Sequence, residues 1–164
     1  MIFNHKQISS PVGLLHLVSN GSALTAVVFD SGWKNFVNAE HLAVTDKSDE
    51  VIQETEKQLR EYFAGKRTTF DIPLHFNGTE FQQQAWQELR NIPYGRTLSY
   101  SDQATNIKKP SAVRAVGAAN GKNKICIIIP CHRVIGKNGS LTGFAGGMEA
   151  KKFLLQFETQ ASTV

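Results

Sequence analysis

The sequence predicts an α/β N-terminal domain, an antiparallel sheet with a helix, followed by a mostly helical C-terminal domain that contains a helix-turn-helix. Three observations support this fold class. Short apolar runs alternate with turn signals over the first thirty residues, capped amphipathic segments dominate after residue 79, and Asn77-Gly78 separates the two patterns. We therefore expect two domains, residues 1–78 and 79–164.

The elements of the first half follow from hydrophobic spacing. The apolar runs 14–18 and 24–29 are bounded by turn residues, which is typical of an antiparallel meander. Residues 49–64 place apolar side chains at helical spacing and end at Gly65, so they predict an amphipathic helix. The run 70–74 predicts one more strand.

Two longer helices frame the second half. The first begins near Thr79 and ends before Pro93, and the last runs from residue 148 to about residue 158. The last helix follows the glycine-rich loop 142–147. Glycines let a backbone approach a flat ligand closely, although a simple hinge is the ordinary alternative.

Between these helices the sequence predicts a helix-turn-helix. Ser99 is suited to cap a short helix over residues 100–106, and Ser111 to cap the next one, over residues 112–120. The two predicted helices are separated by Lys108-Lys109-Pro110. Two short capped helices with a tight connection are typical of this motif, and a helix pair inside an ordinary helical core is the structural alternative.

The charge of the chain is divided unevenly between its halves. Residues 1–78 carry seven Lys/Arg against nine Asp/Glu, whereas residues 79–164 carry eleven against five, within a total net charge of +4. A basic second half indicates contact with a polyanion, and a solvated basic face is the alternative.

The sequence shows no targeting signal, which predicts a cytoplasmic protein. The longest apolar run, residues 125–130, is far too short to cross a bilayer, and the first ten residues lack the apolar core of a signal peptide. We therefore expect a cytoplasmic protein in a reducing compartment, with no membrane partner.

The chemistry of the chain is predicted to centre on Cys131. An apolar run stops at Pro130 and places this thiol directly beside His132 and Arg133. A thiol has an unperturbed pKa of about 8.5, so it needs a neighbouring cation or base to ionise at neutral pH. His132 and Arg133 are suited to that, although a buried packing cysteine is the alternative for Cys131. We infer packing for Cys126, which lies inside the apolar run.

No metal is predicted. Two cysteines five residues apart form neither a disulfide framework nor a four-ligand zinc site. The histidines of residues 1–78 also lack the spacing of ligand pairs.

Six motifs within residues 79–158 resemble the O6-alkylguanine-DNA alkyltransferases (methylated-DNA–protein-cysteine methyltransferases) in order and spacing. They are Pro93-Tyr94-Gly95, Ser99-Tyr100, Arg114-Ala115-Val116-Gly117, Asn123, Pro130-Cys131-His132-Arg133-Val134 and Gly146-Gly147. Over residues 1–78 the resemblance is only architectural, to a support domain. It implies a DNA repair protein that flips O6-alkylguanine out of duplex DNA and transfers the alkyl group irreversibly to its own cysteine, once and without a cofactor.

The resemblance also implies catalytic roles. Cys131 accepts the alkyl group, and His132 takes the thiol proton through a water because direct contact between adjacent side chains is awkward. Glu158 orients His132; without the family, Glu158 reads as a solvated residue near the end of the chain. Tyr100 donates to N3 of the leaving guanine, and Asn123 orders the loop that carries the cysteine.

For binding, the resemblance implies a protein that is monomeric when free and that meets double-stranded DNA containing O6-alkylguanine through the minor groove. Arg114 fills the gap left by the everted nucleotide. The other DNA contacts expected are Tyr100, Lys109, Ala112 and Ala115, with Lys108 and Lys137 near phosphates. The substrate pocket is expected to be lined by Pro130, Phe144, Ala145 and Gly146.

Two residues depart from the common pattern of the family. Lys124 stands where proline usually follows the asparagine, which is expected to loosen the loop. Phe144 stands where tyrosine is frequent, which removes a hydroxyl from the pocket wall. Ala145 suggests room for a substituent larger than methyl.

Two other functions remain open on the sequence. A non-enzymatic alkyltransferase-like protein binds the lesion and recruits other factors, but such proteins lack the reactive cysteine. A cysteine hydrolase needs an oxyanion hole and repeated turnover, and no acyl-substrate signature appears.

Overall fold

A computed structural model describes residues 1–141, 144 and 146–162, apart from the side chains of residues 161 and 162. The chain forms two compact units, Met1–Phe76 and Asn77–Val164. Within the described residues, no helix combines the length and the apolar character that crossing a membrane requires.

The N-terminal unit is built on a four-stranded sheet. Strands β1 (Phe3–Ile8), β2 (Leu15–Ser19) and β3 (Leu24–Phe29) form the predicted antiparallel meander, which is confirmed. A two-residue strand, β4 (Val44–Thr45), adds to the free edge of β1 in parallel, so the strand order is β3-β2-β1-β4. Every residue of β2 is buried, and helices α1 (Asp30–Ala39) and α2 (Glu50–Phe63) both contact this strand.

Two helices complete this unit. Helix α2 (Glu50–Phe63) confirms the predicted amphipathic helix, and Asp49 caps it by accepting a hydrogen bond from the Ile52 amide at 2.8 Å. Helix α1 (Asp30–Ala39) is not predicted by the sequence pattern. It follows β3 without a turn, has no side-chain cap and fully buries none of its residues.

Helix α1 contacts the sheet through an aromatic stack. The Trp33 ring lies parallel to the rings of His5 and His16, with centroid distances of 4.6 and 4.3 Å. The two histidines hydrogen-bond each other at 2.8 Å, and their outer nitrogens meet Asp46 and Asp30, each at 2.7 Å. A line of polar contacts therefore ties β1 and β2 to the start of α1.

The strand expected over residues 70–74 is wrong. Only an isolated bridge, Leu24 to Leu74, forms there. The reason lies in the backbone partners: the Gln58 side chain on α2 accepts from the Asp71 amide at 2.9 Å and donates to its carbonyl at 3.0 Å. Pro73 has no amide to give to a ladder. The segment thus bonds to a helix side chain instead of a strand.

The C-terminal unit is mostly helical, as predicted. A short parallel pair of strands and a single 3-10 turn join its four helices. The elements are α3 (Glu80–Arg90), β5 (Leu98–Ser99), α4 (Tyr100–Asn106), α5 (Val113–Gly121), the turn Cys131–Arg133, β6 (Val134–Ile135) and α6 (Met148–Ser162).

Helix caps explain where α3 and α4 begin and why α5 begins later than predicted. Thr79 and Gln82 form a reciprocal capping box at α3. Ser99 caps α4 as predicted, accepting from the Asp102 amide at 3.0 Å. The predicted cap at Ser111 is wrong, because a turn closed by Ala112 N to Lys109 O at 2.9 Å holds Ser111 outside the helix.

Buried amides join the three central helices. Gln103 on α4 and Asn120 on α5 exchange two hydrogen bonds, at 2.9 and 2.8 Å. Gln103 also donates to Ala85 O on α3 at 3.2 Å, and the Trp86 indole donates to Ala119 O at 2.8 Å. These directional contacts fix the helix-turn-helix against α3 and set the position of the first turn of α5.

Candidate active site

The loop before Cys131 is held by both ends of one buried amide. Asn123 Nδ2 donates to Ile129 O at 2.8 Å, while its Oδ1 accepts from the Ile125 amide at 3.0 Å. Ile127 at the loop apex has a φ of +72°, a strained conformation for a β-branched residue. Asn123 therefore lies where the resemblance implies, and Lys124 leaves its two contacts in place.

A buried triangle of titratable side chains, His132, Arg133 and Glu158, follows the thiol. His132 Nε2 and Glu158 Oε2 are 2.7 Å apart, and both side chains are almost wholly shielded from solvent. Arg133 donates to both Glu158 oxygens, at 2.8 and 3.0 Å, and to Ile92 O at 2.8 Å. Glu158, which reads as solvated when taken alone, is in fact the anionic centre of this unit.

The protonation states of the triangle follow from these contacts. Burial raises the pKa of Glu158, but the hydrogen bonds and charges of His132 and Arg133 outweigh burial and hold it at about 2. Burial lowers the pKa of His132, and the charges of Arg133 and Lys151 lower it further; together they outweigh the opposing effect of Glu158, so the pKa lies below its ordinary value. His132 is therefore a neutral imidazole at pH 7, with its Nε2–H directed to the carboxylate.

This tautomer leaves the other ring nitrogen as a base. His132 Nδ1 is buried and has no hydrogen-bond partner among the described residues. A buried acceptor of this kind is satisfied by water or by substrate, and its lone pair can take a proton. The ring is fixed by the Glu158 contact and, at its edge, by Phe144, whose centroid lies 6.5 Å away at 80°.

The thiol of Cys131 is partly exposed, and its surroundings favour the thiolate. Its pKa is lowered, first by a hydrogen bond from Cys126, against an opposing effect of burial, and further by the Asn123 side chain and the charge of Lys151. The sequence suggests His132 and Arg133 for this role. Arg133 instead neutralises Glu158, and His132 is uncharged.

Lys151 and Cys126 thus lower the pKa of Cys131, an effect that sequence reasoning missed. Lys151 is 1% exposed, donates to Val134 O at 2.6 Å and lies 5.9 Å from the centre of the Tyr100 ring. Burial lowers the pKa of Lys151, and Cys131 opposes this shift. A signal was present: Lys151 and Glu158 share the helical spacing of buried Leu154, which places two charges on the inner face of α6.

The remaining predicted pocket residues are placed as follows. Tyr100, the first residue of α4, lies under Lys151, and Gly117 of α5 approaches it so closely that an added Cβ would lie 3.8 Å from its ring. Pro130 and Phe144 are buried, and Gly146 lies in a turn. Ala145 lies outside the described residues.

The predicted DNA contacts lie on one exposed stretch. Arg114 is the second residue of α5 and is exposed with Ala115, while Ala112 is half-buried just before the helix. Lys109 is exposed in the turn before it, next to Lys108, whose φ of +64° marks the tight connection. Basic side chains therefore lie just before the first turn of α5, at Lys108 and Lys109, and within it, at Arg114.

No group of three or more His, Cys, Asp or Glu side chains in the described part of the chain is arranged to hold a metal ion. The site brings together a thiol whose pKa is lowered, an imidazole, a buried carboxylate and a buried lysine. Such an assembly can deliver a soft nucleophile and take up the proton it releases.

Comparisons with known proteins cover both units. Residues 80–160 match the family described as "6-O-methylguanine DNA methyltransferase, DNA binding domain", and residues 5–76 match "6-O-methylguanine DNA methyltransferase, ribonuclease-like domain". A "Methylated-DNA--protein-cysteine methyltransferase" of Methanosarcina acetivorans is 45% identical over 91% of this chain and 94% of its own length.

Two further relatives are similar along nearly their whole length. The constitutive "Methylated-DNA--protein-cysteine methyltransferase" of Bacillus subtilis is 46% identical, covering 91% of each chain. The crystal structure of the Mycobacterium tuberculosis O6-methylguanine methyltransferase superposes with a TM-score of 0.86 at 42% identity, covering 97% of this chain and 94% of that one. The same M. tuberculosis protein has also been solved in complex with DNA.

Proposed function

The chain belongs to the 6-O-methylguanine DNA methyltransferase family, and we propose that it repairs DNA by moving an alkyl group from O6 of guanine to the sulfur of Cys131. The observation that carries this assignment is a partly exposed thiol with a lowered pKa, next in the chain to a buried imidazole whose Nδ1 has no hydrogen-bond partner among the described residues. Asn77–Val164 carries both DNA binding and the acceptor, and Met1–Phe76 supports it.

The thiolate is formed by a proton relay. A water between Cys131 Sγ and His132 Nδ1 carries the thiol proton to the imidazole, and Glu158 stabilises the imidazolium through Nε2–H. Lys151 adds a positive charge that favours the thiolate. The pair Glu158–Arg133 stays ionised throughout, because the pKa of Glu158 is about 2.

Transfer is a single displacement. The Cys131 sulfur attacks the alkyl carbon, the bond from that carbon to O6 breaks, and guanine leaves with the electron pair. Tyr100 donates a hydrogen bond to N3 and so stabilises the leaving base. The product thioether has no good leaving group, so the thiol is not regenerated, and the protein acts once and needs no cofactor.

Access to O6 requires the nucleotide to leave the helix. We propose that the protein, a monomer when free, approaches the minor groove with the first turn of α5 and that Arg114 fills the vacated space. Lys108, Lys109 and Lys137 contact phosphates, so sequence preference is slight. Residence in the cytoplasm follows from the same role and stays a prediction.

The test is incubation with a duplex oligonucleotide that contains one O6-methylguanine, followed by intact-mass spectrometry. The wild-type chain is expected to gain one methyl group and no more. Cys131→Ala is expected to gain none while still binding the duplex, and Cys126→Ala is expected to gain one. No gain by the wild type, with binding retained, would make the protein a lesion-binding module, and multiple turnovers would make it a hydrolase.

A further inference from the structure

The two side chains proposed to act on the flipped nucleotide come from different helices. Tyr100 is the first residue of α4, and Arg114 is the second residue of α5. The distance between them is therefore set by how the two helices pack, because neither helix carries both. Any slide or rotation of α4 on α5 would move the donor for N3 relative to the side chain that replaces the base.

Small and apolar residues give these helices little that fixes their mutual position. Apart from one pair of amides, their buried residues are Ala104 on α4 and Val116 and Ala119 on α5. Gly117 has no side chain to set against Tyr100, whose ring would lie 3.8 Å from an added Cβ. Apolar contacts of this kind are non-directional, so they allow neighbouring arrangements of similar energy.

The buried amides of Gln103 and Asn120 supply the direction that the other contacts lack. Gln103 Nε2 donates to Asn120 Oδ1 at 2.9 Å, and Asn120 Nδ2 donates back to Gln103 Oε1 at 2.8 Å. Gln103 Nε2 also donates to Ala85 O on α3 at 3.2 Å, and both amide side chains are buried. A shift of about 1 Å between the helices would break these bonds and leave buried polar atoms unpaired.

The amide pair lies one helical turn from the groups whose spacing it sets. Gln103 follows Tyr100 by three residues on α4, and Asn120 follows Gly117 by three residues on α5. Residues three apart are neighbours on a helix surface, so the Tyr100–Gly117 contact and the amide pair are adjacent. Arg114 begins the same helix one turn before Gly117. The pair therefore fixes α4 on α5 beside the Tyr100 ring.

We propose that Gln103 and Asn120 are positioning residues for alkyl transfer. Their paired amides hold Tyr100 and Arg114 at the spacing at which Arg114 enters the DNA stack while Tyr100 meets N3 of the flipped guanine. Both amides are buried and act through the helices that carry them, not through contact with the substrate. The inference rests on the proposed function, since the two side chains that it positions belong to that reaction.

A role in stability alone predicts a different result. If the pair only held the fold together, then a variant with restored stability would also transfer methyl at the full rate. Removal of both partners of a buried hydrogen bond can be nearly neutral for stability, because neither is left unpaired, whereas removal of one partner is costly. The double variant Gln103→Met with Asn120→Leu therefore separates stability from positioning.

The test measures single-turnover methyl transfer by the full chain to which a duplex with one O6-methylguanine is added. In the double variant, the rate at saturating duplex is expected to fall about tenfold, since small misplacements of reacting groups have effects of this size. The unfolding free energy and the half-saturating duplex concentration are expected to stay near those of the wild type. Gln87→Met, at an exposed glutamine of α3, is the matched control and should leave the rate unchanged.

Arg114→Ala supplies a readout that a structural role would not change. If the amides act by placing Arg114 relative to Tyr100, their removal matters less once Arg114 is absent, so the losses are not additive. The tenfold loss is expected to shrink to under about threefold in the Arg114→Ala background. Asn120→Ala is a milder second variant, because Gln103 keeps its bond to Ala85 O, and it should show the same dependence on Arg114.

Three results would overturn the proposal. They are a full rate in the double variant, a rate that falls only in proportion to lost stability, and equal losses with and without Arg114. A wild-type chain that transfers no methyl group would overturn the proposed function and this inference together. A wild-type chain that transfers methyl while the amide variants match its rate would overturn this inference alone.

Discussion

The ionisation of Cys131 depends on residues that come from outside its own motif. Lys151 reaches the site from α6, and its ammonium is held by Val134 O at 2.6 Å and shielded from solvent. A buried charge acts through a low dielectric and is felt strongly by a nearby thiol. The Pro130–Val134 motif therefore supplies the nucleophile, while the last helix and the second cysteine set its acidity.

Lys151→Met is expected to raise the pKa of Cys131 because it removes the positive charge and keeps the volume. The pH midpoint for alkylation of Cys131 by iodoacetamide should move up by about one unit, and methyl transfer at pH 7 should slow accordingly. Lys152→Met is the control, since Lys152 is exposed on the same helix. Equal midpoints in the two variants would exclude a role for Lys151.

Glu158→Gln is expected to destabilise the protein as well as impair transfer. The change leaves Arg133 buried with no anionic partner, a loss of about 3–5 kcal/mol in unfolding free energy at pH 7 for this class of pair. Urea denaturation of the wild type and of Glu158→Gln measures this loss of unfolding free energy.

The pH dependence of that difference has a fixed sign. The folded-state pKa of Glu158 is about 2, below the ordinary value of 4.5, so its contribution is present above pH 4.5 and is lost as the pH falls toward 2. The stability gap between wild type and Glu158→Gln should therefore narrow over that window. A difference in unfolding free energy that stays constant down to pH 2 would contradict the lowered pKa of Glu158.

At the scale of elements, three local cap signals predict helix starts, whereas the predicted cap at Ser111 and the predicted strand over residues 70–74 are wrong. Asp49, Thr79 and Ser99 cap their helices within one turn of sequence, so the starts of α2, α3 and α4 follow from the sequence. Residues 70–74 have strand composition, but a glutamine on α2 binds their backbone. That partner is 13 residues away, and nothing in the segment reveals it.

Ser99→Ala and Ser111→Ala form a matched pair that tests this distinction. Ser99 accepts a hydrogen bond from the Asp102 amide, so its removal should cost about 1 kcal/mol of unfolding free energy. Ser111 lies in the turn before α5 and caps nothing, so its removal should cost under about 0.5 kcal/mol. Chemical denaturation compares them, and equal losses would mean that Ser111 also caps a helix.

The candidate site was also predictable in part. The family pattern names His132, Glu158 and Asn123; the first two are hydrogen-bonded, and Asn123 bonds the loop before Cys131. Their roles in the reaction stay predictions. Lys151 and Cys126 were missed, since a buried lysine and a second cysteine in an apolar run both resemble ordinary sequence. Their effect depends on which atoms the fold brings together.

For the whole molecule, the contrast in charge between the two halves is the property with a direct solution test. Residues 79–164 carry eleven basic and five acidic residues. We therefore expect the affinity of the protein for DNA to fall steeply as the salt concentration rises. Lys109→Gln should reduce the slope of log K against log salt by about one. Lys66→Gln, an exposed lysine of the other unit, should leave the slope unchanged. Identical slopes for the wild type and Lys109→Gln would show that Lys109 does not contact a phosphate.

The carboxylate that His132 and Arg133 share has a consequence for genetics. A library randomised at position 158 and selected in cells under alkylating stress would lose nearly every variant, since the same atoms hold the base and neutralise a buried cation. The survival of cells that carry variants at position 158 therefore cannot distinguish an inactive protein from an unstable one. Libraries at codons 132 and 133 separate the two, because each breaks only one side of the shared contact.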